Sequence, residues 1–200
     1  MTSVFLPSLP RRRWLQAAAA TGVLAPGLHL QAGEATDRPP VQAVFDRRLP
    51  GGSAFAANAG ALGLPSRGFE GDITQLWFGD LATALAAPTG PWLIGHTALE
   101  PLVCLEQMAA DLRYATVVRI EHRPLPGGTE HHLTAPPAAL AALRGWLEGA
   151  ADWRQSLATA LTAAAGTGVP GRLVHARVTT TGQLDRTAAV SWLLGPPRRV

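Results

Sequence analysis

Short apolar runs alternate with stretches of helical periodicity through most of the chain. The runs are rich in Val, Leu, Ile and Trp and are bounded by Gly, Pro and charged residues, a pattern that predicts strands. Apolar residues three and four positions apart predict amphipathic helices in the intervals. The predicted strands cover residues 41–46, 66–70, 91–95, 114–123, 130–134, 173–179 and 188–194, and the predicted helices cover 51–62, 72–86, 97–112, 137–148 and a stretch from 152 onward.

Alternation of strands and helices is typical of βαβ units, in which crossover helices join parallel strands. We therefore predict an α/β fold, a three-layer domain with a mainly parallel sheet that is flavodoxin-like or Rossmann-like. Pro126-Gly127-Gly128 indicates a tight turn, so an antiparallel hairpin is expected toward the C-terminus. The last predicted strand, residues 188–194, is apolar at all positions but one and is therefore expected at the centre of the sheet.

The N-terminal segment has a different pattern. A basic cluster, Arg11-Arg12-Arg13, is followed by Trp14 and Leu15, and then by a weakly apolar segment rich in Ala and Gly. The motif formed by Arg11, Arg12, Trp14 and Leu15 resembles the bacterial twin-arginine (Tat) signal peptide, whose pattern is two Arg, any residue, a bulky apolar residue and Leu. The order of basic, apolar and small-residue regions is the order that a signal peptide has.

The resemblance implies a division of the chain near residue 35. Gly33 and Ala35 supply the small residues expected at positions −3 and −1 of a cleavage site, with an alternative cut after Ala32. The expected organisation is an export signal over residues 1–35 and a single α/β domain over residues 36–200.

The resemblance also implies a route and a location. The expected partner during export is the twin-arginine translocase, which accepts folded cargo, and the expected location is periplasmic or secreted. The apolar segment is shorter than the roughly 20 residues that span a bilayer, so no permanent membrane anchor is expected. Cargo of this route often carries a cofactor, but no cofactor motif is visible in this chain, and the cofactor stays unknown.

Charge and cysteine content exclude several classes of protein. The formal net charge is +3, and all 17 basic residues are Arg. Beyond residue 35, 14 Arg and 13 acidic residues are interspersed, which leaves about +1 and no basic face for nucleic acid. Cys104 is the only cysteine, which excludes an intramolecular disulfide and a Cys-rich metal site.

The segment after the first predicted strand has the composition of an anion site. Arg47 and Arg48 supply guanidinium groups, Gly51 and Gly52 supply flexible backbone, and Ser53 is the expected N-cap of the first helix. The N–H groups at a helix N-terminus attract anions, and Arg binds phosphate or carboxylate with two hydrogen bonds. The segment matches no nucleotide-binding fingerprint, so the alternative is a surface turn.

Candidate catalytic residues follow the ends of predicted strands, where ligands of α/β sheets bind. Asp46 and His96 end the first and third strands, and Asp72 precedes the second helix. A histidine at such a position can act as a base. Ser53 lacks the G-x-S-x-G context of a hydrolase nucleophile.

The predicted hairpin suggests a metal site. It places His122 opposite residue 131 or 132, and cross-strand neighbours on one face lie about 5 Å apart. His122, His131 and Glu121 are the candidate ligands. Because neighbouring residues of a strand face opposite sides, at most one of residues 131 and 132 can join His122, and a further ligand has to come from His96 or Asp46.

Two functions remain open from the sequence. The favoured one is an exported non-catalytic binding or accessory protein for a small anionic ligand or a partner enzyme, because adjacent motifs do not assemble a complete catalytic constellation. The alternative is a small exported hydrolase or metal-dependent enzyme that uses the strand-end Asp and His residues. Whether the protein is an enzyme stays undecided at this stage.

Overall fold

Seven strands form one sheet in the order β2-β1-β3-β7-β4-β5-β6. The computed structural model describes residues 39–165, 172–182 and 187–196. The predicted export signal, residues 1–35, lies outside the described residues. The strands are β1 (Val41–Asp46), β2 (Ser66–Phe69), β3 (Trp92–Thr97), β4 (Ala115–Leu125), β5 (Gly128–Ala135), β6 (Val174–Thr181) and β7 (Ala189–Gly195).

Helices connect β1 to β2, β2 to β3, β3 to β4 and β5 to β6. They are α1 (Pro50–Ala61), α2 (Thr74–Leu76), a π-helical turn (Trp77–Leu81), α3 (Ala82–Ala86), α4 (Leu99–Ala110), α5 (Pro137–Gly149), a 3-10 turn (Trp153–Ser156) and α6 (Leu157–Ala165). None of the helices within the described ranges is long and apolar enough to cross a membrane.

The sheet is mixed rather than mainly parallel. Only the pairings of β1 with β2 and of β1 with β3 are parallel, and the other four are antiparallel. The predicted mainly parallel, three-layer flavodoxin-like or Rossmann-like domain is therefore wrong. Helix α4 connects β3 to β4 as a crossover would, but β7 lies between these two strands and is antiparallel to both. The pattern of alternating elements does not reveal such an insertion.

Two predictions about local structure are confirmed. Strand β7 lies at the centre of the sheet, as the fourth of seven strands, and its burial along nearly its whole length explains its largely apolar sequence. The hairpin of β4 and β5 forms about Gly127, whose φ of +88° favours glycine. His122 pairs with His131 in this hairpin.

Hydrophobic side chains cover both faces of the sheet. Ile94 and Leu193 contribute to one core together with helices α1, α5 and α6. Leu93 and Trp192, their neighbours along the strands, contribute to a second core with α4 and the segment Thr74–Ala86. Alternation of side chains along a strand separates these two cores.

The beginning of α1 differs from the prediction. Leu49 is the N-cap residue, without a side-chain cap hydrogen bond, and Pro50 occupies the first turn. Proline is favoured there because its missing N–H would have no helical partner. Ser53 is exposed one turn later and does not cap the helix.

We expect Gly95→Ala to destabilise the domain by about 1–3 kcal/mol, because a Cβ at this position of β3 would overlap the buried indole of Trp192. Gly145→Ala in α5 is the matched control. Its Cβ would meet no atom within 4 Å, and alanine stabilises a helix interior by about 0.5–1 kcal/mol. Urea unfolding measures both changes, and equal stability of the two variants would contradict this packing.

Candidate functional site

Four buried polar residues lie side by side on neighbouring strands. They are His96 on β3, Ser191 on β7, His122 on β4 and His131 on β5. His96 is directly opposite Ser191, and His122 is directly opposite His131. The insertion of β7 between β3 and β4 therefore brings together histidines that are distant in the sequence.

The four residues and Thr180 of β6 form one continuous series of hydrogen bonds, which we call the histidine chain. His96 Nδ1 lies 2.9 Å from Ser191 Oγ, which lies 2.7 Å from His122 Nε2. His122 Nδ1 lies 2.7 Å from His131 Nδ1, and His131 Nε2 lies 2.9 Å from Thr180 Oγ1. All four distances are those of well-formed hydrogen bonds.

Trp153 covers the histidine chain. Its indole stacks on the His122 ring at 4.2 Å with 14° between the planes, and it meets the His131 ring edge-on at 5.0 Å. The 3-10 turn that carries it is fixed by Asp152, whose carboxylate accepts a hydrogen bond from the Arg154 backbone N–H. Trp153 belongs to the core formed with α5 and α6, so the cover is part of the packed domain.

The three imidazoles are neutral at pH 7. Burial and, to a lesser extent, the positive charge of Arg154 together lower the pKa of His96 to about 4 and that of His131 to about 4. Burial, followed by the neighbouring His131 and His96, holds the pKa of His122 well below its usual value. A low dielectric environment disfavours the charged form, and the opposing effect of the Asp46 charge on His96 is smaller.

A neutral imidazole has one N–H donor and one acceptor nitrogen, which permits two arrangements of protons along the histidine chain. In the inward arrangement, Thr180 donates to His131, and each group donates to the next as far as His96 Nδ1. In the outward arrangement every donor is reversed, and His131 Nε2–H donates to Thr180. Thr180 can then donate to the Thr129 carbonyl, 3.5 Å away. Both arrangements satisfy every link.

One end of the histidine chain opens at a pocket, which we call the Arg154 pocket. Its volume is about 190 Å³, several times the roughly 30 Å³ of one liquid water. The Arg154 side chain is only 11% exposed, and its guanidinium carbon lies 5.1 Å from the centre of the Trp153 ring. The pocket is lined by Arg154 and Asp152, by Thr129, Thr180 and Thr181, and by backbone at Gly128 and Gly182.

The other end of the histidine chain meets the beginning of α1. A Cβ at Gly51 would lie 2.6 Å from His96 Nε2, so glycine is required for the helix to approach the ring. Gly52 allows a similar approach to the backbone of Asp46. The predicted glycine pair thus makes room for His96 and for the end of β1.

The two arginines of the predicted anion segment have different environments. Arg48 donates to both carboxylate oxygens of Asp46, at 2.9–3.3 Å. Arg47 is exposed, and its Nε packs over Gly68. Because Ser53 does not cap α1 and the side chains of Arg47 and Arg48 are exposed to solvent, which screens their charge, this segment is a less favourable anion site than the sequence suggested.

The predicted catalytic residues do not all meet. Asp46 is fully buried, and although burial raises its pKa, hydrogen bonds from Arg48 outweigh that effect and lower it. Its charge raises the pKa of His96 slightly, so these two residues are electrostatic neighbours. Asp72 lies in an exposed turn and accepts hydrogen bonds from the N–H and hydroxyl of Thr74.

The predicted metal ligands lie on opposite faces of the sheet. His122 and His131 face each other with their Nδ1 atoms in a hydrogen bond. Glu121 faces the other way and binds Arg123 at 2.8 Å and Arg119 at 3.6 Å. Within residues 39–165, 172–182 and 187–196, no group of three His, Cys, Asp or Glu residues is placed to hold a metal ion.

Sequence reasoning missed four components of the site. Ser191 is a single hydroxyl in an otherwise apolar strand, which is a signal of a buried hydrogen-bonding role. Trp153 lies in the core, and its contact with the histidines depends on the tertiary fold. Arg154 and Thr180 have no distinguishing local pattern.

Comparison of the chain with protein-family models, with curated proteins and with solved structures finds no match. The function is therefore inferred from the geometry of the site.

We expect the free energy of unfolding to fall between pH 7 and pH 5. The unfolded chain takes up protons on histidine below pH about 6.5, whereas His96 and His131 resist protonation in the fold down to pH about 4. Each of these two rings contributes a loss of about 2 kcal/mol at pH 5.

Urea unfolding at the two pH values measures this loss. His131→Gln should reduce the pH dependence, and Thr179→Val, at an exposed residue of β6 that does not titrate, should leave it unchanged. A stability that is the same at pH 5 and pH 7 in the wild type would show that the rings are not buried as neutral groups.

Proposed function

We propose that the protein is an exported binding or accessory protein that holds a small anionic ligand in the Arg154 pocket. The observation that carries the proposal is a nearly buried guanidinium in a pocket that is also lined by three threonines. Arginine in such a setting binds carboxylate or phosphate with charge-assisted hydrogen bonds. The pocket replaces the segment around Ser53 as the favoured anion site.

The electrostatics around the pocket support an anion. The charge of Arg154 lowers the pKa of His96, His122 and His131, so its positive potential extends into the domain. Asp152 binds the guanidinium at 3.3 Å. Bulk water would screen the attraction between Arg154 and an anionic ligand only weakly, because the side chain is so little exposed.

The size and lining of the pocket define the ligand class. Thr129, Thr180 and Thr181 offer hydroxyl groups, each of which can donate one hydrogen bond. A carboxylate or phosphate has several acceptor oxygens and fits a volume of about 190 Å³. These features favour a small oxyanion over an extended polymer.

The hydrolase alternative would need a substrate to reach a nucleophile. Ser191 is the hydroxyl with two histidine neighbours, and its side chain is fully buried in the centre of the sheet. A substrate carbonyl cannot approach this oxygen unless Trp153 and the strands move. Binding in the Arg154 pocket needs no such movement.

We expect phosphate, acetate or sulfate to bind with millimolar or tighter affinity and to raise the melting temperature. Arg154→Gln should weaken binding at least tenfold, because it removes the charge and the two-point contact. Arg47→Gln is the matched control, since Arg47 belongs to the predicted segment at α1 and not to the pocket. Isothermal titration calorimetry measures the affinities.

Two results would contradict the proposal. One is the absence of binding by all three anions at millimolar concentration, and the other is a loss of binding in Arg47→Gln with unchanged binding in Arg154→Gln. Arg154→Lys provides a folded comparison if the glutamine variant is unstable, since it keeps the charge but not the planar fork of donors.

Export is the second part of the proposal, and it is supported by the motif of Arg11, Arg12, Trp14 and Leu15. We expect the double variant Arg11→Lys/Arg12→Lys to accumulate as the uncleaved precursor inside bacterial cells. Arg13→Lys changes the position of the motif that accepts any residue and should be exported normally. Cell fractionation measures the outcome, and normal export of the double variant would contradict the proposed route.

A further inference from the structure

We propose that the histidine chain is a proton relay through which an anion in the Arg154 pocket determines the protonated nitrogen of His96 at the other end of the chain. The ligand part of this inference rests on the proposed function, whereas the relay itself can be tested without a ligand. The geometry points to this role because four short hydrogen bonds connect the pocket wall at Thr180 to the ring beside Gly51.

The links of the chain have to reverse together. Each link holds one proton between two heavy atoms, and each neutral ring has only one proton to give. If one link reversed alone, two donors or two acceptors would face each other in a site where His131 and Ser191 are fully buried. An unsatisfied buried group costs about 1–3 kcal/mol, so the chain populates the inward and outward arrangements and little else.

An anion in the pocket favours the outward arrangement. The anion accepts a hydrogen bond from the Thr180 hydroxyl, and Thr180 Oγ1 must then accept a hydrogen bond from His131 Nε2–H. The same direction continues through His122 and Ser191, so that His96 Nδ1 carries the proton and Nε2 becomes an acceptor. The inward arrangement has the opposite result and leaves His96 Nε2 protonated.

Reversal from inward to outward balances its protons. One proton enters at Thr180 from water or from the conjugate acid of the ligand. The proton of each group then passes to the next, and one proton leaves His96 Nε2 for water. His96 keeps 2% of its surface exposed, which provides the exit. The net charge of the chain is the same before and after.

The charged side chains near the histidine chain bind partners outside it. At the His96 end, the Asp46 carboxylate binds Arg48. At the pocket end, Arg154 binds the Asp152 carboxylate. Glu130, which lies next to His131 in the sequence, binds His132 and Arg177 on the other face of the sheet.

Nitrogen-15 NMR of protein labelled in its histidines tests the relay. Thr180→Val removes the partner of His131 Nε2 in both arrangements. The outward arrangement loses more, because a buried N–H without an acceptor is tolerated less well than an acceptor atom without a donor. We expect the variant to raise the share of His96 rings that carry the proton on Nε2 rather than on Nδ1. The rings of His131 and His122 lie between His96 and the substitution. Thr179→Val is the matched control, because Thr179 is exposed on the same strand, next to Thr180, and forms no part of the chain.

The outcomes separate the relay from the ligand. If His96 in Thr180→Val has the same tautomer as in the wild type, the relay is overturned, whatever any anion does. In the wild type, phosphate should shift the His96 proton toward Nδ1, opposite to the effect of Thr180→Val. A relay that responds to Thr180→Val, in a protein that binds none of phosphate, acetate and sulfate and does not change with them, would overturn the ligand part and the proposed function while leaving the relay intact. Ser191→Ala should separate His96 from the other two rings and abolish both responses at His96.

Discussion

Three imidazoles buried beneath one indole impose the constraint on which the rest of this domain depends. A buried polar atom without a partner costs as much as several favourable contacts contribute, and five of the six ring nitrogens have a partner in the histidine chain. Ser191 supplies partners to both His96 and His122. It can do so only if β7 lies between β3 and β4, and the mixed topology of the sheet follows from that position.

The same constraint extends to the helices. The 3-10 turn places Trp153 against the His122 ring, and helix α6, which follows directly, packs on the same core. At the opposite end, Gly51 lets α1 approach His96 closely enough to exclude water from most of the ring. Burial keeps the rings neutral, and the positive charge of Arg154 adds to this effect and also favours the proposed anion in the adjacent pocket. The structural role and the proposed binding role thus use the same side chains.

Much of the local structure could be predicted from the sequence, because local patterns encode it. Turn chemistry at Gly127 predicted the hairpin, with His122 opposite residue 131 or 132, and the largely apolar sequence of β7 predicted its central position. Strand order was not predictable, since no local signal distinguishes a crossover between neighbours from one that leaves room for a later strand.

The site was predicted only in part for the same reason. His96, His122 and His131 were candidates, and His96 was one of two possible further ligands for a metal at His122, but the residue that connects the three comes from the last strand and was not predicted. The strand-end rule placed His96 beside Asp46, which is near the observed arrangement, but it could not show that Arg48 binds the Asp46 carboxylate. Long-range pairing, rather than the chemistry of single residues, decided what the sequence could reveal.

The central claim is that the three histidines form one neutral, hydrogen-bonded chain inside the sheet. The most direct measurement is a nitrogen–nitrogen scalar coupling across the hydrogen bond between His122 Nδ1 and His131 Nδ1, recorded at pH 7 on protein labelled with nitrogen-15 in its histidines. We predict a measurable coupling together with the chemical shifts of neutral imidazoles, because the two atoms lie 2.7 Å apart in a buried site. Charged rings, or the absence of the coupling in a folded sample, would contradict the account.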